Sequence, residues 1–282
     1  MTHDVQYVND NGNVNYNDCD CSGGVRPFWC GRCNIVGETP KLESHNQKNN
    51  QPFPDQIAGI NIKEYKMQEF DKVTEFGNLY AAFKKSRAGH GHNYSKNKFQ
   101  MNTLDNILRI QQKIEDHSFS VGAYNRFMIH DPKERVIEAG TFESKIVQHS
   151  LCDNVLIPSL SKEFITTNFA GQKNKGTLYG LDWLKSHELE AYRRYGMDCW
   201  IIKADVSKYF YNINHALLKD LIYFHFADDD IRWLCDQFIE STEGNGLPLG
   251  NQISQVFALL YLSGLDHFIT GELGVDLYGR YM

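Results

Sequence analysis

Two short patterns in the last third of the sequence constrain its fold more than anything else in it. The apolar run Cys199-Trp200-Ile201-Ile202-Lys203-Ala204 reads as a buried strand, and it leads straight into Asp205-Val206-Ser207-Lys208-Tyr209-Phe210. Further on, Gly246-Leu247-Pro248-Leu249-Gly250-Asn251-Gln252-Ile253-Ser254-Gln255 forms a Gly/Pro turn that opens a long apolar helix. Strands mixed with long helices indicate an α+β or α/β domain, and α+β is the fold class expected.

Upstream, the pattern changes once. Residues 1–60 are rich in Asn, Gly, Asp and Gln and hold no sustained periodicity, so they read as a largely disordered extension. From about Asn61 apolar residues recur every three or four positions. Glu69–Lys85 and Thr103–Asp116 read as helices, with Thr103 as an N-cap. Two strands, Phe127–Ile129 and Arg135–Ala139, flank the turn His130-Asp131-Pro132-Lys133-Glu134. Helices follow over Phe142–Leu156, Thr177–Tyr195, Ala216–Phe226, Asp230–Ser241 and Asn251–Glu272, and a last strand starts at Val275.

With 41% hydrophobic residues in 282, the chain can bury a substantial core. It holds no uninterrupted apolar run of about eighteen residues, so no membrane span is expected. Its start lacks the basic and apolar regions of a signal peptide, which favours the cytoplasm. The net charge of -6 is unevenly spread. Residues 61–150 carry 14 Lys and Arg against 11 Asp and Glu, whereas residues 151–282 carry 11 against 17. A basic half suits a phosphate backbone and an acidic half suits metal ions.

Several residues could carry chemistry. Asp205, at a strand end, can hold a divalent cation, with the Val206 carbonyl as a further ligand. Phe210 can lie under the sugar of a nucleotide, although an isolated Phe more often belongs to a core. Gly246 and Gly250 allow close backbone approach to a ligand, and the following helix N-terminus favours anions. Lys133, Glu134 and Arg135 form a hairpin tip, where Arg135 suits bidentate phosphate contact. Gln172, Lys173 and Lys175, just before a helix, can meet a nucleic-acid backbone or serve as a cap. Cys19, Cys21, Cys30 and Cys33 offer a weak Zn²⁺ spacing, and zinc is the less favoured reading. Cys152, Cys199 and Cys235 read as small buried hydrophobes. His90 and His92 read as surface or RNA-facing groups rather than metal ligands.

Taken in order, these blocks resemble reverse transcriptases over residues 61–282. Arg126–Phe164 and Asn168–Leu184 are similar to the two fingers blocks, and Lys203–Asn214 to the palm block with the first metal aspartate. Gly246–Leu265 is similar to the block that positions template and nucleotide. Tyr278–Met282 is similar to the opening of the catalytic hairpin, which in the family continues Tyr-x-Asp-Asp. The resemblance implies a right-hand polymerase with fingers over 61–198 and an incomplete palm over 199–282. The sequence contains neither the Asp-Asp pair nor a thumb, so the chain alone is expected not to polymerise. Lys145 stands where many relatives have Arg.

Within the family, group II intron and retron enzymes usually read Gln-Gly-x-x-x-Ser-Pro in the positioning block. Leu249-Gly250-Asn251-Gln252-Ile253-Ser254-Gln255 instead resembles the enzymes of diversity-generating retroelements, as does Ala170-x-Gln172-Lys173-x-Lys175-Gly176-Thr177. The resemblance implies error-prone copying of template RNA into cDNA from dNTPs, with two Mg²⁺ ions and, in some systems, a basic accessory protein. Asp205 and Val206 would hold metal. Arg135, Phe210, Leu249, Gly250 and Gln255 would surround the nucleotide, and Gln172, Lys173 and Lys175 the template. The Asn-rich stretch Asn9–Phe28 resembles the repeats such elements diversify, whose residues arise from asparagine codons by changes at adenines. A group II intron or retron enzyme and a non-catalytic nucleic-acid-binding fragment are the alternative readings.

Overall fold

The computed structural model describes residues 26–30, 56–57, 60–61, 68–88, 94–130 and 134–281, the first three of these as backbone only. The thiols Cys19, Cys21 and Cys33, the loop histidines and Lys133 lie outside the described residues. Within the stretch expected to be irregular, Arg26–Cys30 is a strand, β1, and Gln56–Ile57 (β2) pairs with Ile60–Asn61 (β3). There follow α1 (Glu69–Thr74), α2 (Phe76–Arg87), α3 (Tyr94–Met101) and α4 (Thr103–Glu115). An antiparallel hairpin comes next, β4 (Asn125–Ile129) and β5 (Arg135–Ala139), then α5 (Phe142–Leu151), a π-helical stretch (Cys152–Leu156) and α6 (Ile157–Leu160). The remainder comprises α7 (Thr177–Tyr195), β6 (Ile201–Lys203), α8 (His215–His225), α9 (Asp229–Ile239), α10 (Gln252–Tyr261), α11 (Ser263–His267) and β7 (Gly279–Tyr281). Helices mixed with small antiparallel sheets make this an α+β protein.

Helix boundaries follow local chemistry. The expected helix over Glu69–Lys85 is broken at Glu75, which is extended (φ -53°, ψ 130°) and starts α2, its carboxylate accepting from the Asn78 amide at 2.9 Å. The N-cap of α4 is Asn102 rather than Thr103. Asn214 and Asp228 cap α8 and α9 by accepting backbone N–H groups. Gly196 (φ +61°) stops α7 in the left-handed region. The helix expected from Asn251 to Glu272 turns at Leu262 into α11 and a π-helical end (Phe268–Glu272). By length and composition Gln252–Glu272 could cross a membrane, but half of it is buried in the protein. The final strand begins later than expected, at Gly279.

The main core gathers one face from each of several helices. Leu79 and Phe83 of α2, Ile107, Ile110 and Ile114 of α4 and Ile146, Val147 and Leu151 of α5 meet Leu234 and Phe238 of α9 and Phe257 of α10. Each fully buried aliphatic side chain contributes about 1.5–3 kcal/mol. Cys152 and Cys235 are in this core, as expected, and burial pushes both thiols up; Cys199 is only half-buried. The α5–α10 contact also holds a polar string. Lys85 pairs with Asp153 (2.8 Å), whose carboxylate accepts from the Gln252 amide (2.9 Å), and Gln252 bonds His149.

The strand expected to be buried is not. β6 is three residues long, and Trp200 (80% exposed), Ile201 and Ile202 face outward. Its sheet runs β6-β1-β7, with β1 antiparallel to both neighbours, so β6 is an edge, and no described layer covers it. Apolar composition signals a strand but not which element, if any, lies over it.

At the other edge, β7 is anchored by charge. The Arg280 guanidinium and the Asp266 carboxylate are both fully excluded from solvent and meet at 2.6 Å. Tyr278 donates to the other Asp266 oxygen at 2.7 Å, and Arg280 also donates to the Leu259 carbonyl at 3.3 Å. The Arg280 backbone is bonded to Thr167 and Phe169.

Arg280→Met strands the Asp266 charge and should cost about 3–5 kcal/mol in urea denaturation, whereas Asp266→Leu with Arg280→Met recovers most of that loss. A second expectation concerns pH. Burial, with Lys85 adding to it, pulls His149 down from 6.5 to about 4. Protonation is disfavoured in the fold, so this stability is complete above pH 6.5 and is lost as pH falls towards 4. Between pH 7 and 5 the chain should lose about 2 kcal/mol more than His149→Gln does.

Candidate functional site

After β6 the chain leaves the sheet as an exposed loop, Ala204–Lys208. Lys208 is left-handed (φ +49°), which costs a non-glycine residue about 1–2 kcal/mol. This reversal leads into a 3-10 turn, Tyr209–Asn212, whose first two side chains point into the core. Tyr209 donates to the Ala258 carbonyl at 2.6 Å, and burial pushes its phenol up. Phe210 is 8% exposed and packs in the core. Asp205 and Val206 remain on the exposed side, and the Asp205 carboxylate has no hydrogen bond or ion pair among the described residues.

The Gly246–Gly250 turn is wedged between this loop and β5. Gly246 (φ +92°) donates to the Ile213 carbonyl, and Leu247 to the Phe210 carbonyl, both at 2.8 Å. A Cβ at position 246 would stand 2.7 Å from the Tyr211 carbonyl oxygen, so only glycine fits. The Gly246 carbonyl accepts from His215 Nε2 (2.7 Å) and Thr242 Oγ1 (2.8 Å). On the far side the Leu249 carbonyl accepts from the Glu138 N–H at 3.1 Å, and the Asn251 amide donates to the Glu138 carbonyl at 3.4 Å. Gly250 (φ +101°) lies so close to β5 that a Cβ there would be 3.0 Å from Ile137 Cγ2. Tyr211 closes the ring of contacts. Burial raises its phenol and the nearby Glu138 carboxylate adds to the rise.

Three segments far apart in sequence therefore meet: β5 at Ile137 and Glu138, the 3-10 turn at Phe210 and the Ile213 that follows it, and the Gly246–Gly250 turn. Arg135 at the start of β5 is half-buried, as are Leu249 and Gln255 on the second turn of α10. The start of α10 keeps two buried polar atoms, Asn251 Oδ1 and Ser254 Oγ, with no hydrogen-bond partner among the described residues. Such atoms cost about 1–3 kcal/mol each unless water or a ligand reaches them.

Gln172 and Lys175 are occupied in holding their own loop. Gln172 donates to the Asn168 carbonyl at 3.0 Å, and the Lys175 ammonium to the Thr166 carbonyl (2.8 Å) and Gln172 (2.9 Å). Their loop is bonded to β7, and neither side chain caps α7, whose N-cap is Gly176 with no side-chain cap hydrogen bond. Lys173 is exposed and unpaired among the described residues. His215, Thr242 and Lys208 escaped the sequence reading. His215 and Thr242 act by fixing one carbonyl, which leaves no spacing to find.

Asp205 with the Val206 carbonyl fits the habit of Mg²⁺, which takes one or two carboxylates and fills its shell with water and substrate phosphates. Among the described residues no group of three or more His, Cys, Asp and Glu side chains could hold a metal. No protein-family model matches the chain, and no curated protein matches it.

Gly246→Ala should destabilise by about 3 kcal/mol or more in urea melts, because backbone strain and a backbone clash combine. Gly244 (φ +78°) has open space around it, so Gly244→Ala should cost only about 1 kcal/mol.

Proposed function

We propose that this chain contains the fingers (61–198) and part of the palm (199–282) of an RNA-directed DNA polymerase of the diversity-generating type. The observation that carries the reading is the convergence of β5, the Asp205–Phe210 loop and the Gly246–Gly250 turn, since these are the segments whose sequences resemble the family's blocks. They could have folded apart; instead they are stitched through Phe210, Ile213 and Glu138.

In this reading the chain's residues divide the work. Asp205, with no side-chain partner among the described residues, presents its carboxylate to the substrate side, and Val206 presents its carbonyl. Mg²⁺, when bound there, supplies Lewis-acid activation of a primer hydroxyl and neutralises phosphate charge. Arg135 at the start of β5 meets triphosphate oxygens. Gly250, which has no side chain, lets a nascent base pair approach the turn. Phe210 shapes the site from beneath, through the backbone it shares with Leu247, and reaches a sugar only if it leaves the core. Leu249 offers an apolar surface to the base pair with no hydrogen bond to test its geometry, consistent with low fidelity. Template RNA, cDNA and dNTPs are the partners, and the cytoplasm is the compartment.

The test uses a chain extended to include an Asp-Asp pair after Met282. Mg²⁺-dependent primer extension on RNA should appear, fall about 10²–10³-fold with Asp205→Asn, and become severalfold more accurate opposite adenine with Leu249→Gln. Absence of extension, or an unchanged adenine error rate, counts against the polymerase and its subfamily respectively.

A further inference from the structure

The middle strand of the three-stranded sheet comes from a distant part of the chain. β6 and β7 both belong to the C-terminal third, yet they are not neighbours. β1, Arg26–Cys30, lies between them and is antiparallel to each. β6 and β7 therefore run parallel to one another, about 10 Å apart at two strand spacings. Phe28 sets their level, since it stands opposite Lys203 on one side and Gly279 on the other. Asp205 lies two residues past Lys203, and Tyr281 lies two past Gly279, so both strands leave the sheet at the same end.

β1 is a poor centre for a sheet. It pairs over three residues with each neighbour, and only Phe28 has partners on both sides. Pro27 has no N–H to donate, and proline is normally confined to the edges of sheets. It is tolerated because it stands opposite Arg280, whose backbone turns the other way. The Arg280 N–H donates to the Thr167 carbonyl at 3.0 Å, and its carbonyl accepts from the Phe169 N–H at 2.9 Å. On the β6 side the pairing stops at Lys203, one step short of Pro27.

The same bonds limit where another strand can go. A strand has two hydrogen-bonding edges. One edge of β7 is bound to the Thr167–Phe169 loop and the other to β1. A hairpin strand that follows β7 has one place to pair, and β1 occupies it.

We propose that β1 is an autoinhibitory strand. It fills the slot between β6 and β7, and it must leave before a strand following β7 can pair there and bring its turn beside Asp205. The proposal rests on the polymerase reading for the existence of such a hairpin. That one strand excludes the other rests on the sheet alone.

The test is a reversible lock. Cys30 stands opposite Ile201, which is 53% exposed and tolerant of change. Ile201→Cys, in a Cys199→Ser background, lets diamide join positions 30 and 201 across an antiparallel pair. In the 282-residue chain this crosslink, identified by peptide mass mapping, should form readily. In a chain extended through the Asp-Asp pair and the strand after it, the crosslink should form at least about fivefold more slowly, because the returning strand competes for the slot. Once locked, the extended chain should lose at least about tenfold in Mg²⁺-dependent primer extension and regain it with dithiothreitol. The Cys199→Ser chain without Ile201→Cys, oxidised alike, should keep its activity. Trp29→Pro, which puts a second proline in β1, should raise extension about threefold or more. Failure of the crosslink in a 282-residue chain that melts like its parent overturns the proposal, as do equal crosslinking rates in the two chains. Full activity in the locked chain overturns it too. Absence of extension in both redox states counts against the polymerase reading, while slower crosslinking in the extended chain still upholds the strand exchange.

Discussion

The Arg280–Asp266 pair sets terms that much of the C-terminal half obeys. Two opposite charges with no access to solvent must find each other, and most of their other polar atoms take partners, although Arg280 Nη1 has none among the described residues. That demand fixes β7 against α11, draws Tyr278 onto the same carboxylate and brings the Leu259 carbonyl of α10 into reach. Backbone bonds from Arg280 to Thr167 and Phe169 carry the constraint into the loop before α7. Gly279 completes it, because a Cβ there would stand 2.8 Å from the Trp183 ring of α7. A buried ion pair is a poor source of net stability but a strict selector of arrangement. Here it selects how α7, α10, α11 and β7 fit together.

The Gly246–Gly250 turn plays the corresponding part for the candidate site. It is bonded through backbone atoms to the 210–213 turn and to β5, and the side chains of His215 and Thr242 donate to the Gly246 carbonyl. A single Cβ at position 246 meets the Tyr211 backbone and cannot be absorbed. The site is held from beneath by the core that Phe210, Tyr209 and α10 share, and its outer face, with Asp205, is left to solvent. Rigid support under an open carboxylate is the arrangement a metal-and-phosphate site needs.

Periodicity made the helices legible. α4, α7, α8 and α9 fall within a residue or two of where their apolar spacing and capping residues place them, and the β4–β5 hairpin lies where the Pro132 turn puts it. The interruptions at Glu75 and Leu262 were not legible, because both are ordinary helix formers and the apolar spacing runs on through them. On α4, Leu104 and Leu108 share the apolar spacing yet lie outside, while Ile107, Ile110 and Ile114 face the core. The residues of the candidate site were visible as motifs. Their convergence was not, since it runs through the carbonyls of Phe210, Ile213 and Leu249, and every residue has a carbonyl.

The exposed face of β6 bears on how the protein behaves in a tube. Trp200, Ile201 and Ile202 sit on a strand whose outer edge has no partner among the described residues, and Met197 beside them is almost fully exposed. Open backbone donors and acceptors flanked by large apolar groups are a template for strand addition by another chain. Self-association should therefore start here before any part of the helical core opens, and charged replacements at Trp200 or Ile202 are the first place to look for a better-behaved protein.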